Sequence, residues 1–363
     1  MKSYMEGSIL RVVEKNHDGS YKSLGWKFLI YGAYSEIFAR ETGFNKGLGG
    51  SMHIFSPPFG IYSNNAIVGG SGSIGPGVAL YKRINRTPGI VIINIGDGFF
   101  GCGPVWEVIC FATMEQYRTL WDKNLGGGLP LIINCMNNHY AMGGQTSGET
   151  MGFKVLARIG AGVNPDQMHA ERVNGYNPLA VIDAIKRKRE ILSQGLGPVL
   201  MDTVIYRISG HSPSDASSYR TKEEIKSWEK ADAIKAFRDK MIAHHILTEN
   251  QLEAIRAVAD DMVFEMFKLA VDLKISPRMD RESEYIGSVM FSNKKIESFS
   301  KRAPEVNHPL EKNSRVVQIS GKVRKGFDEK GNPVTKMKAF NFRDGVFEAM
   351  MHRFYKDPTM IAW

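Results

Sequence analysis

Apolar residues along this chain fall into two kinds of run. Ile90-Val91-Ile92-Ile93-Asn94-Ile95 is continuous, rich in β-branched side chains, and bounded by Pro88-Gly89 and Gly96. Leu131-Ile132-Ile133-Asn134-Cys135-Met136 is a second such run, and Val199 to Tyr206 reads as a third. Runs of this kind predict strands buried on both faces, as in a parallel sheet covered by helices. The stretches between them carry helical spacing. Tyr34 to Thr42 reads as a helix closed by Gly43. Gly75 to Arg83 reads as another, and Pro104 to about Trp121 as one opened by proline in its first turn. Pro178 to Gln194 places Leu179, Ile182, Ile185 and Leu192 on one face and turns Lys186-Arg187-Lys188-Arg189 outward. Thr221-Lys222-Glu223-Glu224 and Thr248-Glu249-Asn250-Gln251 are capping boxes, the second opening a helix to about Lys274. Strands and helices alternating in this way predict an α/β fold with a central, mostly parallel sheet flanked by helices.

The candidate chemistry gathers at strand ends. Asp97, within Gly96-Asp97-Gly98, follows the first run, and Asn137-Asn138 follows the second. Open α/β sheets bind ligands at the carboxyl ends of their strands. If the two strands are neighbours, Asp97 and Asn138 meet there. One carboxylate, one amide oxygen and a nearby backbone carbonyl make a hard oxygen site, which suits Mg²⁺ completed by phosphate oxygens better than a zinc cage. Gly70-Ser71-Gly72-Ser73-Ile74-Gly75 also matches G-x-G-x-x-G, the dinucleotide fingerprint. No clean βαβ unit with a ribose-binding acid follows it, because Asp97 is enclosed between glycines; the other reading is close packing of a helix start. Lys46-Gly47-Leu48-Gly49-Gly50 is a glycine-rich loop, suited to positive φ or close approach to a ligand. His53 after it reads either as structural or as lining a site.

Composition excludes several classes. The chain has 363 residues, enough for one large or two ordinary domains. Its net charge of +9 is scattered, with local excess at Lys186–Arg189 and around Lys322 to Lys325, so no nucleic-acid partner is expected. No apolar run reaches the ~18 residues of a membrane span. The opening Met1-Lys2-Ser3-Tyr4-Met5-Glu6 lacks the apolar core of a secretory signal. Cys102, Cys110 and Cys135 cannot form a disulfide framework and fit a reducing cytoplasm.

Gly96-Asp97-Gly98 followed by Asn137-Asn138 resembles the thiamine-diphosphate motif. Gly49-Gly50-Ser51-Met52-His53, Ala66-Ile67-Val68-Gly69, Asn138-His139-Tyr140-Ala141-Met142-Gly143, Gly210-His211-Ser212 and Ser218-Tyr219-Arg220-Thr221 narrow the match. In that order they resemble the alpha subunit of the thiamine-diphosphate-dependent 2-oxo acid dehydrogenases, the first component of the pyruvate, branched-chain and acetoin dehydrogenase complexes. The resemblance spans roughly residues 35 to 290. It implies the thiamine-diphosphate-binding fold, with Mg²⁺ held by Asp97, Asn138 and the Tyr140 main-chain carbonyl. Gly98 and Phe99 would adjoin the cofactor, and Ala66 and Val68 would present backbone to its aminopyrimidine. Arg207 and His211 would face the diphosphate and the substrate carboxylate, with His53 lining the active site. The implied reaction is oxidative decarboxylation of a 2-oxo acid, pyruvate-like, with the acyl group passed to a lipoyl group. The implied partners are a beta-subunit module, the lipoyl-bearing acyltransferase of the complex, and a second copy in a homodimer or α2β2-like assembly. Alternatives are another thiamine-diphosphate enzyme, of transketolase or acetoin type, or a non-catalytic subunit that keeps the fold.

The chain departs from the pattern in places. Residues 1–30 are unassigned, and no counterpart is found for the family's Tyr-Arg pair at the diphosphate. Asp97 and Asn138 are separated by more chain than the pattern requires, the surplus lying around Thr119 to Gly128. The Gly-His-Ser loop is shorter than the family's phosphorylation loop, with Ser212 at the place of a regulatory serine. The expected domains are therefore 31–287 for the alpha-type unit, 288–335 for a linker, and 336–363 for the opening of a beta-subunit-type domain, as though from an alpha–beta fusion. There Met337 to Met351 reads as a helix, Asp357-Pro358 as a turn, and the last residues as a first strand.

Overall fold

The computed structural model describes Val13, residues 21–280 other than 63, 123, 164 and 165, and residues 282–360 other than 290–301, 307, 321–325, 329, 331 and 335–341. The chain divides into two units, Met1–Met279 and Asp280–Trp363.

The first unit runs α1 (Tyr21–Ile37), α2 (Ser71–Ile84), β1 (Val91–Gly96), α3 (Gly103–Ala112), β2 (Leu131–Asn137), α4 (Ala157–Val163), β3 (His169–Asn174), α5 (Pro178–Ser193) and β4 (Val199–Val204). Helices α6 (Lys222–Lys230), α7 (Ala233–Ala243) and α8 (Glu249–Val271) follow. The four strands form one parallel sheet in the order β1-β2-β4-β3. The expected neighbours pair in register, Ile95 with Cys135 and Gly96 with Met136.

Burial explains why β2 is mostly apolar. Ile133 and Cys135 face α2 and α3 through Ala79, Leu80, Val105, Val108 and Ile109, while Ile132 faces the α5 side with Val199 and Met201. Fully burying Ile132 and Ile133 contributes on the order of 1.5–3 kcal/mol each. β1 differs from expectation. It is an edge strand with one buried face, and Ile92 and Asn94 are exposed.

Four helices differ from their sequence reading. α2 begins at Ser71 rather than Gly75, and α1 ends at Ile37 rather than Thr42. α1 begins thirteen residues before Tyr34, so residues 21–30 of the unassigned segment belong to it; its Leu24, Phe28 and Tyr31 pack with Val13 against Met266 and Ala270 of α8. The helix expected from Pro104 to about Trp121 ends at Ala112, and a single turn, Gln116–Thr119, follows. In α5, Leu179 and Ile182 are exposed, and the buried residues are Ala184, Lys188 and Leu192. Lys188 belongs to the run expected to face outward, yet it is buried because its Nζ lies 2.6 Å from the Glu171 carboxylate on β3.

Thr119 to Gly128 sits at the amino ends of the strands. Gly128 N–H donates to the Gly195 carbonyl at 2.7 Å, and Arg118 donates to the carbonyls of Asp166, Leu196 and Gly197. Asp97 lies at the opposite, carboxyl end. The second unit contains α9 (Ser283–Val289), α10 (Ser314–Ser320), a two-stranded antiparallel pair of β5 (Gly326–Phe327) and β6 (Pro333–Val334), and α11 (Phe342–Phe354). The stretch expected to be a linker thus holds α10 and the strand pair. Met337 to Asn341 and the strand expected at the C-terminus lie outside or largely outside the described residues.

Candidate functional site

Asp97 opens a 3-10 turn, Asp97–Gly101, directly after β1. Its side chain is buried, at 1% exposure. Thr146, itself fully buried, donates its hydroxyl to Asp97 Oδ2, and Asn138 N–H approaches Oδ1 at 3.4 Å. Burial raises the Asp97 pKa against the opposing pull of Thr146, the backbone donors and His139. Among the described residues no lysine or arginine forms an ion pair with it. A carboxylate held this way is short of positive charge, and an oxygen-seeking cation fits that deficit.

The turn after β2 supplies the neighbours. Asn138 Oδ1 accepts Tyr140 N–H at 2.9 Å, and Asn137 Oδ1 accepts His139 N–H at 3.3 Å. His139 sits at φ +66°, in the left-handed region. Its carbonyl accepts Thr146 N–H at 2.9 Å, which ties the turn to the residue that holds Asp97. The structure thus brings Asp97, Asn138 and Tyr140 into one cluster. Gly98 packs under it: a Cβ there would lie 3.2 Å from the Ala141 Cβ. Among the described residues no group of three or more His, Cys, Asp or Glu gathers, so a cation here would draw on amide, carbonyl and ligand oxygens.

The loop after β4 joins the same cluster. Arg207 donates to the Ala141 carbonyl at 3.2 Å and to the Tyr219 hydroxyl at 2.6 Å, and its Nη1 lies 3.3 Å from His211 Nδ1. Tyr219 passes a hydrogen bond to Asp215 Oδ2 at 2.6 Å, and that carboxylate also accepts His211 N–H at 2.7 Å. The Tyr219 hydroxyl, then the His211 and Ser217 amides, hold Asp215 down at a pKa of about 2. Arg220 lies over the rings of Tyr140, Tyr206 and Tyr219 and donates to the carbonyls of Arg207 and Ser209. Tyr140 and Tyr206 both donate to Glu224 Oε1, at 2.6 and 3.0 Å.

The remaining predicted residues lie in other segments. Ala66 and Val68 are exposed in the turn before α2, and Gly69 behind them, at φ +84°, approaches Cys102 and Pro104 beside the Asp97 turn. Phe99 packs partly buried against the core. His53 is exposed, with Nδ1 3.2 Å from the Asn64 carbonyl, and belongs to a separate loop contact. Residues 71–75 are helical, so G-x-G-x-x-G is no phosphate loop. A Cβ at Gly72 would lie 2.8 Å from the Pro104 carbonyl oxygen, and one at Gly75 2.0 Å from Ile93 Cγ2. The motif is a packing face, and the dinucleotide reading falls.

Sequence reasoning missed Thr146, Asp202 and Glu36. Glu36 is fully buried, and its carboxylate accepts the amides of Asn45, Gly47 and Gly49 at 2.7, 3.0 and 2.6 Å. The glycine-rich loop therefore wraps a side chain of its own chain. The available signal was a glutamate in the last turn of a helix that leads into glycines.

Residues 16–278 match the dehydrogenase E1 component family. A Caenorhabditis elegans protein described as a probable mitochondrial pyruvate dehydrogenase E1 component subunit alpha is 32% identical over 264 residues, 71% of this chain and 62% of the relative. The pyruvate dehydrogenase E1 component subunit alpha of Rickettsia conorii is 30% identical over 250 residues, 69% and 71% respectively. The mitochondrial subunit alpha of Dictyostelium discoideum is 34% identical over 234 residues, 63% and 56% respectively. The chain thus spans less than two thirds of the nematode and Dictyostelium relatives.

Proposed function

The chain belongs to the dehydrogenase E1 component family as an alpha-type domain, and from that membership we propose that it forms the diphosphate half of a thiamine-diphosphate site for decarboxylating a 2-oxo acid, pyruvate-like by its relatives. The observation that carries this reading is Asp97: a buried carboxylate without an ion-pair partner among the described residues, at the tip of β1 and beside Asn138 at the tip of β2. Asp97, Asn138 and the Tyr140 carbonyl would hold Mg²⁺ against the diphosphate. In the conformation seen, Asn138 Oδ1 accepts Tyr140 N–H, and a carbonyl oxygen has a second lone pair for a cation.

Gly98 keeps the turn open for close approach, and Ala66, Val68 and Phe99 would flank the cofactor. Arg207 presents a planar fork suited to phosphate or carboxylate, and His211 beside it can donate a hydrogen bond or move a proton. His53 would line the active site. When bound, thiamine diphosphate supplies the nucleophilic carbon and the electron sink for decarboxylation. The acyl group would pass to a lipoyl group of a partner acyltransferase. A beta-type subunit would supply the glutamate that the aminopyrimidine needs, in a homodimeric or α2β2-like assembly placed in the cytoplasm. Helix α11 and the Asp357-Pro358 turn would belong to such a beta-type module.

Calorimetric titration with thiamine diphosphate and Mg²⁺ tests the reading. The wild-type chain should take up cofactor only with the metal, and Asp97→Ala should abolish uptake. Binding that survives Asp97→Ala, or affinity for NAD without Mg²⁺, would overturn it. Cofactor uptake without decarboxylation in the presence of a beta-type partner would favour the non-catalytic subunit.

A further inference from the structure

We propose that Asp202 is a positioning residue for the cofactor turn: through Asn137 it sets the conformation that presents Asn138 and Tyr140. This rests on the reading of those two residues as cation ligands. Asp202 lies in β4, where the other residues are apolar except Thr203, and is fully buried. A charge in that place is costly unless hydrogen bonds satisfy it. Its Oδ1 accepts Asn137 Nδ2 at 2.8 Å, and its Oδ2 accepts the amide of Leu156 at 2.9 Å and that of Ala157 at 3.5 Å, where α4 begins. The nearest cation, Arg172, has its Nε at 3.7 Å, beyond hydrogen-bond distance, on a side chain 37% exposed.

The acceptor-only character of the carboxylate does the selecting. Asp202 can only accept, so it draws the amide nitrogen of Asn137 toward itself. The amide oxygen of Asn137 then faces His139 N–H at 3.3 Å, and the Asn137 carbonyl accepts Ile205 N–H at 2.9 Å. A flipped amide would set a donor against the His139 donor. His139 is thereby held at φ +66° with Asn138 on one side and Tyr140 on the other. The same turn is tied through His139 to Thr146 and so to Asp97. An amide at position 202 could donate as well as accept, and would release this choice.

The test uses the full chain with two readouts. Amide hydrogen exchange without ligand reports the turn itself, and calorimetry with thiamine diphosphate and Mg²⁺ reports its consequence. Asp202→Asn should speed exchange over residues 137–146 while residues 131–136 stay protected. It should weaken cofactor–metal binding roughly 10- to 100-fold, the usual cost of losing a group that orients metal ligands. The exchanged pair, Asn137→Asp with Asp202→Asn, again faces a donor to an acceptor and should recover both readouts. Should Asp202→Asn fail to fold, Asn137→Ala keeps the bonds of Asp202 to Leu156 and Ala157 and should show the same two changes. Unchanged exchange together with wild-type affinity in either single variant, or an exchanged pair no better than the single variant, would overturn the proposal. A wild-type chain that binds no cofactor would sink the cofactor reading instead, and the exchange measurement would still decide whether Asp202 holds the turn.

Discussion

A single carboxyl group concentrates the tension between folding and binding. Asp97 has its pKa raised chiefly by burial, so the folded chain prefers the protonated form more than the unfolded chain does. The sign follows directly: above the ordinary carboxyl value of 3.8, ionising Asp97 costs the folded state stability that the unfolded state does not lose. At neutral pH Asp97→Asn keeps the shape and removes that cost. The expected outcome is a Tm for the ligand-free chain a few degrees above wild type. Thiamine diphosphate with Mg²⁺ should raise the wild-type Tm, since a ligand that binds only the folded state stabilises it, and should leave Asp97→Asn unmoved. A variant less stable than wild type without ligand would mean that Thr146 and the backbone donors already compensate the charge.

At the scale of elements, legibility followed the chemistry of the buried face. β2 could be read because most positions on both its faces are apolar, and its pairing with β1 brought the two strand ends together despite the longer stretch of chain between them. The buried stripe of α5 could not, because one of its positions is Lys188, neutralised by Glu171 from β3, a strand distant in sequence. α1 was cut short for a similar reason: the part that was missed includes buried Lys27, whose Nζ donates to Glu265 of α8 at 2.8 Å. The glycines of α2 were misleading in the other direction. Gly72 and Gly75 stand three apart because α2 presses on α3 and β1, and Gly75→Ala must push the helix off Ile93. Overpacking of this kind costs about 1–3 kcal/mol, to be read as a lower urea midpoint; an unchanged midpoint would disprove the packing role. The Glu171 cluster gives a pH test. Hydrogen bonds from Arg187, with Lys188 assisting, lower the Glu171 pKa to about 2. A depressed folded value stabilises above the ordinary 4.5, and that stability fades as pH falls from 4.5 toward 2. Glu171→Gln should lower stability at pH 7 by about 1–3 kcal/mol and flatten the loss of Tm across that acid window. A parallel acid limb would assign the pH dependence to other groups.

Over the whole molecule, the residues gathered at the candidate site account for one end of the proposed cofactor. Asp97, Asn138, Arg207 and His211 supply a cation site and donors for anions, while the other carboxyls placed there, Asp215 and Glu224, already accept hydrogen bonds from the chain's own Tyr219, His211, Tyr140 and Tyr206 and are not assigned to the aminopyrimidine. Several segments that carry the family resemblance also expose large apolar side chains: Met52 at 57%, Ile67 at 70%, Val68 at 45% and Met142 at 68%. Exposed apolar residues beside a site are ordinary when single and informative when they recur along the segments that build it. The proposed beta-type partner predicts both features, because it would bring the missing acid and cover these side chains. The chain alone should therefore decarboxylate pyruvate at a small fraction of the rate seen with such a partner. Methionine oxidation footprinting gives the structural counterpart, with Met52 and Met142 oxidising readily in the isolated chain and becoming protected when the partner is added. Substantial decarboxylation by the chain alone would remove the need for a partner acid. Full activity with the partner and no protection of either methionine would place the partner on another face.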